Sequence, residues 1–186
     1  RVWVVVKVDK DGQFIDVAET DGSADTNWKS SMNGTHTVVM QRMRDVLFSD
    51  EEYPFMDKSA TARLNVDRAF ARAAGMDQVF LQVDRGVIVY PWVGSIAFDT
   101  MYRVVSSIPE VVAVHQKPPY RMDVYTSLSA EELRGAIFKM SKMKHECFIT
   151  DEDRLIHGKY DANIPESLLI EGFMADRMDF SFLDYI

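Results

Sequence analysis

The groupings of side chains that could support catalysis all fall short of a site. Asp151, Glu152 and Asp153, followed by His157, offer oxygen and nitrogen ligands for a cation. Three consecutive carboxylates point in different directions on a helix or a strand, whereas a calcium loop places its ligands at alternate positions around a glycine, so a solvated acidic turn is the expectation. His145, Glu146 and Cys147 have no Pro-Cys-x-x-Cys partner and do not make a zinc deaminase site. Gly94 and Ser95 lack the flanking pattern of a hydrolase nucleophile elbow, and no histidine is placed to act as the base. The chain has no Gly-x-x-x-x-Gly-Lys-Ser/Thr loop to cradle a triphosphate, so hydrolysis of ATP by this chain alone is not expected. These readings assign no catalytic residue and call for no metal or cofactor.

Contact with a nucleic acid is the chemistry that remains. Lys117, Tyr120 and Arg121 combine cations with an aromatic face around a Pro118-Pro119 bend, and Lys159 with Tyr160 repeats the combination nearer the C-terminus. Arg68 and Arg72 fall one turn apart on a helix and can meet phosphate or simply be solvated. Each group has an ordinary structural reading that carries more weight: a bend capped by a buried tyrosine, a turn that locks the terminal helix, and exposed helix arginines. Trp28 is read as folding back onto the core in preference to stacking on a base, and Trp92 as plugging the junction between sheet and helix.

The net charge of -8 weighs against an independent nucleic-acid binder, because phosphate contacts need concentrated Lys and Arg. It leaves room for a domain that closes one wall of a channel whose cations come from its neighbours. At 186 residues and 47% hydrophobic content the chain can bury a substantial core, and one compact domain, 1–186, is the simplest organisation. The longest apolar run, Val2 to Val6, is far shorter than the ~20 residues of a membrane span, and a single Cys147 makes no internal disulfide, so a cytoplasmic chain without membrane contact is expected.

Alternating valines from Val2 to Val8, a turn at Asp9 to Gly12 and further alternation to Thr20 predict a hairpin. Residues 21–34 read as an exposed loop. Helices are expected over Thr37 to Phe48 and Asp57 to Ala74, the second with a stripe of Ala60, Leu64, Phe70, Ala71 and Ala74 opposite Arg68 and Arg72. A second hairpin, Val79 to Trp92, leads through Gly94 into a helix over Ile96 to Ile108 capped by Ser95. A strand pair, Val111 to His115 and Met122 to Tyr125, precedes a helix that Ser129 and Glu132 open as a capping box. Asn163 and Pro165 open a last helix, expected to dock through Leu168, Leu169 and Phe173. Hairpins interspersed with about five helices predict an α+β fold with a largely antiparallel, curved sheet.

Two blocks carry a family resemblance. Gly158, Lys159, Tyr160 and Asp161, the Ile164-Pro165-Glu166 helix start with Leu168 and Leu169, and the Ala175, Arg177 and Asp179 ending resemble the closing segment of the Large helicase-related (Lhr) proteins. Pro91, Trp92, Val93, Gly94 and Ser95, running into Asp99, Thr100 and Met101, are similar to the Pro-Trp-x-Gly-Ser/Thr junction of the same accessory domain. The resemblance implies a barrel-like sheet flanked by helices, in a non-catalytic C-terminal domain of a superfamily-two, ATP-dependent DNA helicase. It also implies upstream winged-helix and motor domains as partners, with ATP and Mg used there, a role in DNA repair, and single-stranded DNA or RNA bound by the intact protein. Beginning at Arg1 inside a strand-like run, the chain reads as a fragment of such a helicase. The alternative is a protein-interaction or scaffold domain of the same helicase, with no direct nucleic-acid contact.

Overall fold

The computed structural model describes residues 2–9, 14–21, 34–150, 153, 155 and 160–186. Most of the 21–34 loop, with Trp28, lies outside these residues, as do Asp151, Glu152, His157, Gly158 and Lys159. Where composition suggests one domain, the chain divides into two compact units, Arg1–Asn33 and Gly34–Ile186. No helix among the described residues is long and apolar enough to cross a membrane.

The first unit contains the expected antiparallel pair, β1 (Val2–Asp9) and β2 (Phe14–Thr20), whose register slips between Val5 and Lys7. Alternation does not sort its side chains into a wet and a dry face. Val4 and Val5, regular neighbours ahead of the slip, point to opposite sides of the ribbon and are 51% and 57% exposed.

In the second unit, α1 (Thr37–Phe48) and α2 (Lys58–Ala73) precede β3 (Phe80–Val83) and β4 (Gly86–Val89). Then come α3 (Ser95–Ser106), β5 (Val111–Lys117), β6 (Arg121–Thr126), α4 (Ala130–Met140) and α5 (Glu166–Arg177). The strands form one antiparallel sheet in the order β3-β4-β6-β5. The fold is α+β with five α-helices and two antiparallel sheets, and no closed barrel is found among the described residues.

Period-2 and period-3.6 patterns meet in the main core. Val87 and Val89 of β4 and Met122 and Val124 of β6 share one sheet face, and α3 brings Ala97, Met101, Val104 and Val105 onto it at helical spacing. Leu133 and Ile137 of α4, with Phe148 and Phe182, complete it, each large side chain contributing about 1.5–3 kcal/mol by leaving water. The opposite sheet face carries Leu81 and Ile88, cross-strand partners packed with Met40, Tyr90, Trp92 and Phe48.

Three local expectations need correction. Ser95 does not cap α3; Gly94 holds the cap position while Ser95 Oγ accepts the Thr35 N–H at 2.9 Å. Asn163 belongs to a 3₁₀ turn and takes no part in α5, whereas Pro165 opens that helix as expected, holding its cap position and accepting the Leu169 N–H at 3.2 Å. Nor does α5 dock through Leu168, which is exposed; Leu169 and Phe173 are half-buried, with the Arg103 guanidinium over the Phe173 ring, but no residue of the helix is fully buried and none supplies the deepest anchor of the C-terminal segment. Phe182, wholly buried in the 3₁₀ turn Phe180–Asp184, does so instead. The Ser129/Glu132 capping box forms as expected.

Candidate functional site

The junction block is built by close backbone approach. Trp92 has φ +52°, a left-handed conformation unusual for a bulky residue, and the surroundings hold it there. Its indole N–H donates to Met76 O at 2.9 Å, its own carbonyl accepts from Gln41 Nε2 at 2.8 Å, and Phe48 meets the ring edge-on. The side chain is buried where α1, the end of α2 and β4 converge, in agreement with the plug reading. Two residues on, a Cβ at Gly94 would stand 2.7 Å from both Thr35 O and Thr37 N. Only glycine lets the strand-to-helix turn lie that close to the start of α1.

The α2 arginines lie where the sequence stripe does not put them. The helix turns Thr61, Leu64, Arg68 and Ala71 inward and leaves Phe70 67% exposed. Arg68 is 6% exposed: Nε donates to Val46 O at 3.0 Å, and Nη2 to Glu51 O at 2.9 Å and Ser49 Oγ at 3.2 Å. Its guanidinium also faces the Tyr53 ring. This corrects both its solvated-face assignment and its candidacy for phosphate contact, because the donors are occupied by Val46 O near the end of α1 and by Ser49 Oγ and Glu51 O in the loop that follows. Arg72 is half-exposed and pairs with Asp50 Oδ1 at 2.7 Å. That partner and the carbonyls of Phe48 and Ser49 give it a local structural role as well. Hydrogen bonding to Arg72 holds the Asp50 carboxyl below its ordinary range.

A second internal ion pair ties α3 to the segment after Phe148. Arg103 donates to Asp99 at 3.0 Å, to Phe148 O at 3.1 Å and, as a fork, to both oxygens of Asp153 at 2.6 and 2.8 Å. The Arg103 hydrogen bonds, aided by Thr150 donors, hold Asp153 at about 2, and the same contacts raise Arg103. Asp153 is thus engaged as an ion-pair acceptor.

Lys117, Tyr120 and Arg121 come together at the β5–β6 turn. Arg121 Nε donates to Asp123 Oδ1, and Lys117 Nζ lies 3.7 Å from Asp123 Oδ2, so one carboxylate faces both cations. The Asp123 hydrogen bond raises the Arg121 guanidinium above its ordinary value. Arg121 also stands over the Tyr90 ring, while Lys117 is 59% and Tyr120 44% exposed. Tyr120 is therefore not the buried cap of the bend. Tyr160 is exposed at the start of the 3₁₀ turn before α5, and its neighbour Lys159 lies outside the described residues.

Sequence reasoning missed Asp123 as the acceptor shared by Lys117 and Arg121, and it missed His115 and Tyr125, whose rings meet edge to face at 5.2 Å. The register Lys117↔Arg121, His115↔Asp123 and Ala113↔Tyr125 puts all of these on one face of the sheet. The signal was available: a short Pro-Pro-Tyr connection fixes that register, and period-2 alternation does the rest. No protein-family model, curated protein or solved structure matches the chain.

Proposed function

We propose that this chain is a non-catalytic accessory domain of an Lhr-like ATP-dependent DNA helicase, where it contributes one wall to the single-strand path behind the motor domains. The observation that carries the reading is the coincidence of motif and constraint at Pro91–Ser95. The block through which the chain resembles that family is the one where Trp92 is buried in spite of a left-handed backbone and where Gly94 has no room for a side chain. Acidic overall, with most of its candidate cations paired inside the fold, the domain leaves most phosphate neutralisation to the motor and winged-helix domains upstream. ATP and Mg act there; the cytoplasmic setting, the role in DNA repair and a barrel-like closure of the sheet belong to the same proposal.

The exposed apolar β1–β2 ribbon favours a second reading, a protein-interaction or scaffold domain of the same helicase. Two strands alone are marginal in water, and Trp3, Val5, Val6 and Ile15 all stay more than half exposed. The test of the leading reading is the sequence encoded immediately before Arg1 together with the chemistry of the chain itself. A winged helix preceded by motor motifs, and no phosphate release from ATP by the purified chain with or without single-stranded DNA, are the expected results. Absence of the motor motifs, or turnover that survives repurification, overturns it.

A further inference from the structure

Resting on the nucleic-acid reading above, we propose that the open face of β5–β6 is a single-strand stacking site, with His115 and Tyr125 receiving nucleobases and Lys117 and Arg121 the adjoining phosphates. The β3–β4 half of this sheet face is covered, because Leu81 and Ile88 pack with Met40, Trp92 and Phe48. Arg121 over Tyr90 marks the border, and beyond it the face carries His115 and Tyr125, both exposed. The core does not require rings here, since Val114, Met122 and Val124 on the opposite face supply the apolar packing. Tyr125 is flanked across its row by Gly86 on β4 and Ala113 on β5, the two smallest residues, so no neighbouring side chain in that row covers its ring. Gly86 is required for another reason: its φ of +145° brings a would-be Cβ onto Val124 O.

The rows Ala113–Tyr125, His115–Asp123 and Lys117–Arg121 follow each other along the strands at intervals of about 6.5 Å. Two rings in successive rows thus lead to a row of two cations, so neighbouring bases and the phosphate beyond them can be met on one face. Every base has a π-face, so such a platform takes single strands without reading their sequence. Asp123 between the cations opposes phosphate and keeps the site weak in isolation.

The experiment is an NMR titration of the 186-residue chain with oligothymidylate and, separately, oligouridylate up to millimolar concentration. Shifts centred on His115 and Tyr125 are expected, with either oligomer supporting the site and the difference between them reporting the sugar. His115→Ala and Tyr125→Ala should each weaken binding roughly fivefold to 150-fold, the effect of losing one stacked base. Tyr125→Phe should bind within about twofold of the parent, because the ring and not the hydroxyl is the platform. Parental affinity in both alanine variants overturns the stacking site and leaves the accessory-domain reading standing. No shift anywhere in the parent chain removes direct nucleic-acid contact, and this site with it.

Discussion

Two pairs of cations four residues apart, Arg68 with Arg72 and Lys117 with Arg121, meet different fates in the fold. Arg68 is sealed beneath a carbonyl of the last turn of α1 and one of the loop after it, whereas Lys117 and Arg121 stand on an open strand face beside a single carboxylate. The difference lies in the acceptors. Backbone carbonyls cannot be neutralised or moved without unravelling the segment that bears them, so Arg68 is fixed to structure. A carboxylate is one side chain on a rigid strand, and its hold on a cation can be exchanged for a phosphate's.

The largest effect should come from the buried member. Arg68→Ala leaves Val46 O and Glu51 O without their donors and opens space beside Tyr53, and is expected to cost about 2–4 kcal/mol by chemical denaturation. Arg68→Lys should recover little of this, because an ammonium cannot reproduce a planar fork that reaches several acceptors at once. A midpoint within experimental error of the parent for Arg68→Ala would erase the distinction between the two pairs.

Arg103 sharpens the comparison, since it is enclosed like Arg68 yet paired to carboxylates like Arg121. Asp153 is held at about 2 in the fold against an ordinary 3.8. Between those values the unfolded chain binds the more protons, so the stabilisation is complete above about pH 4 and lost as pH falls through 2. Asp153→Asn should lower stability by on the order of 1–2 kcal/mol at neutral pH, with the gap from the parent closing in acid. Parallel stability curves for parent and variant from pH 7 to about pH 2 would show that the pair contributes no pH dependence.

These two arginines also show where the sequence could be read and where it could not. Elements declared by local chemistry were legible: the Ser129/Glu132 box and the Asp57 start of α2. So was the α+β alternation of hairpins and helices. The inward face of α2 was not, because its apolar residues are mostly alanines, which gain little from burial on either side of the helix. The choice fell instead to the loop between α1 and α2, whose carbonyls need a donor as strong as Arg68. The terminal segment was misread for a similar reason: Leu168 and Leu169 looked like anchors, while Phe182, in a stretch with no periodicity, is the side chain that reaches the core. At the candidate site, Lys117, Tyr120 and Arg121 were visible as a cluster in one turn. His115, Asp123 and Tyr125 were not, because their association depends on pairing two strands, which no window along one strand displays.

The smallest expected effect probes the exposed pair directly. If the Asp123 carboxylate is what restrains Lys117 and Arg121, then Asp123→Asn should leave the fold largely intact, with a loss of about 1 kcal/mol, because the amide still accepts from Arg121 and Lys117 is mostly in water. The same change frees two cations on the face that carries His115 and Tyr125. Single-strand binding should therefore tighten several-fold, and its dependence on salt should steepen by about 0.7 in slope for each cation that gains a phosphate. Lys117→Ala with Arg121→Ala is the opposing arm and should flatten the same slope. Titrations of the chain with oligothymidylate across a salt series separate the outcomes. An Asp123→Asn variant that binds no better than the parent would mean that these cations do not face the strand, and would leave the β5–β6 turn as fixed a structural feature as Arg68.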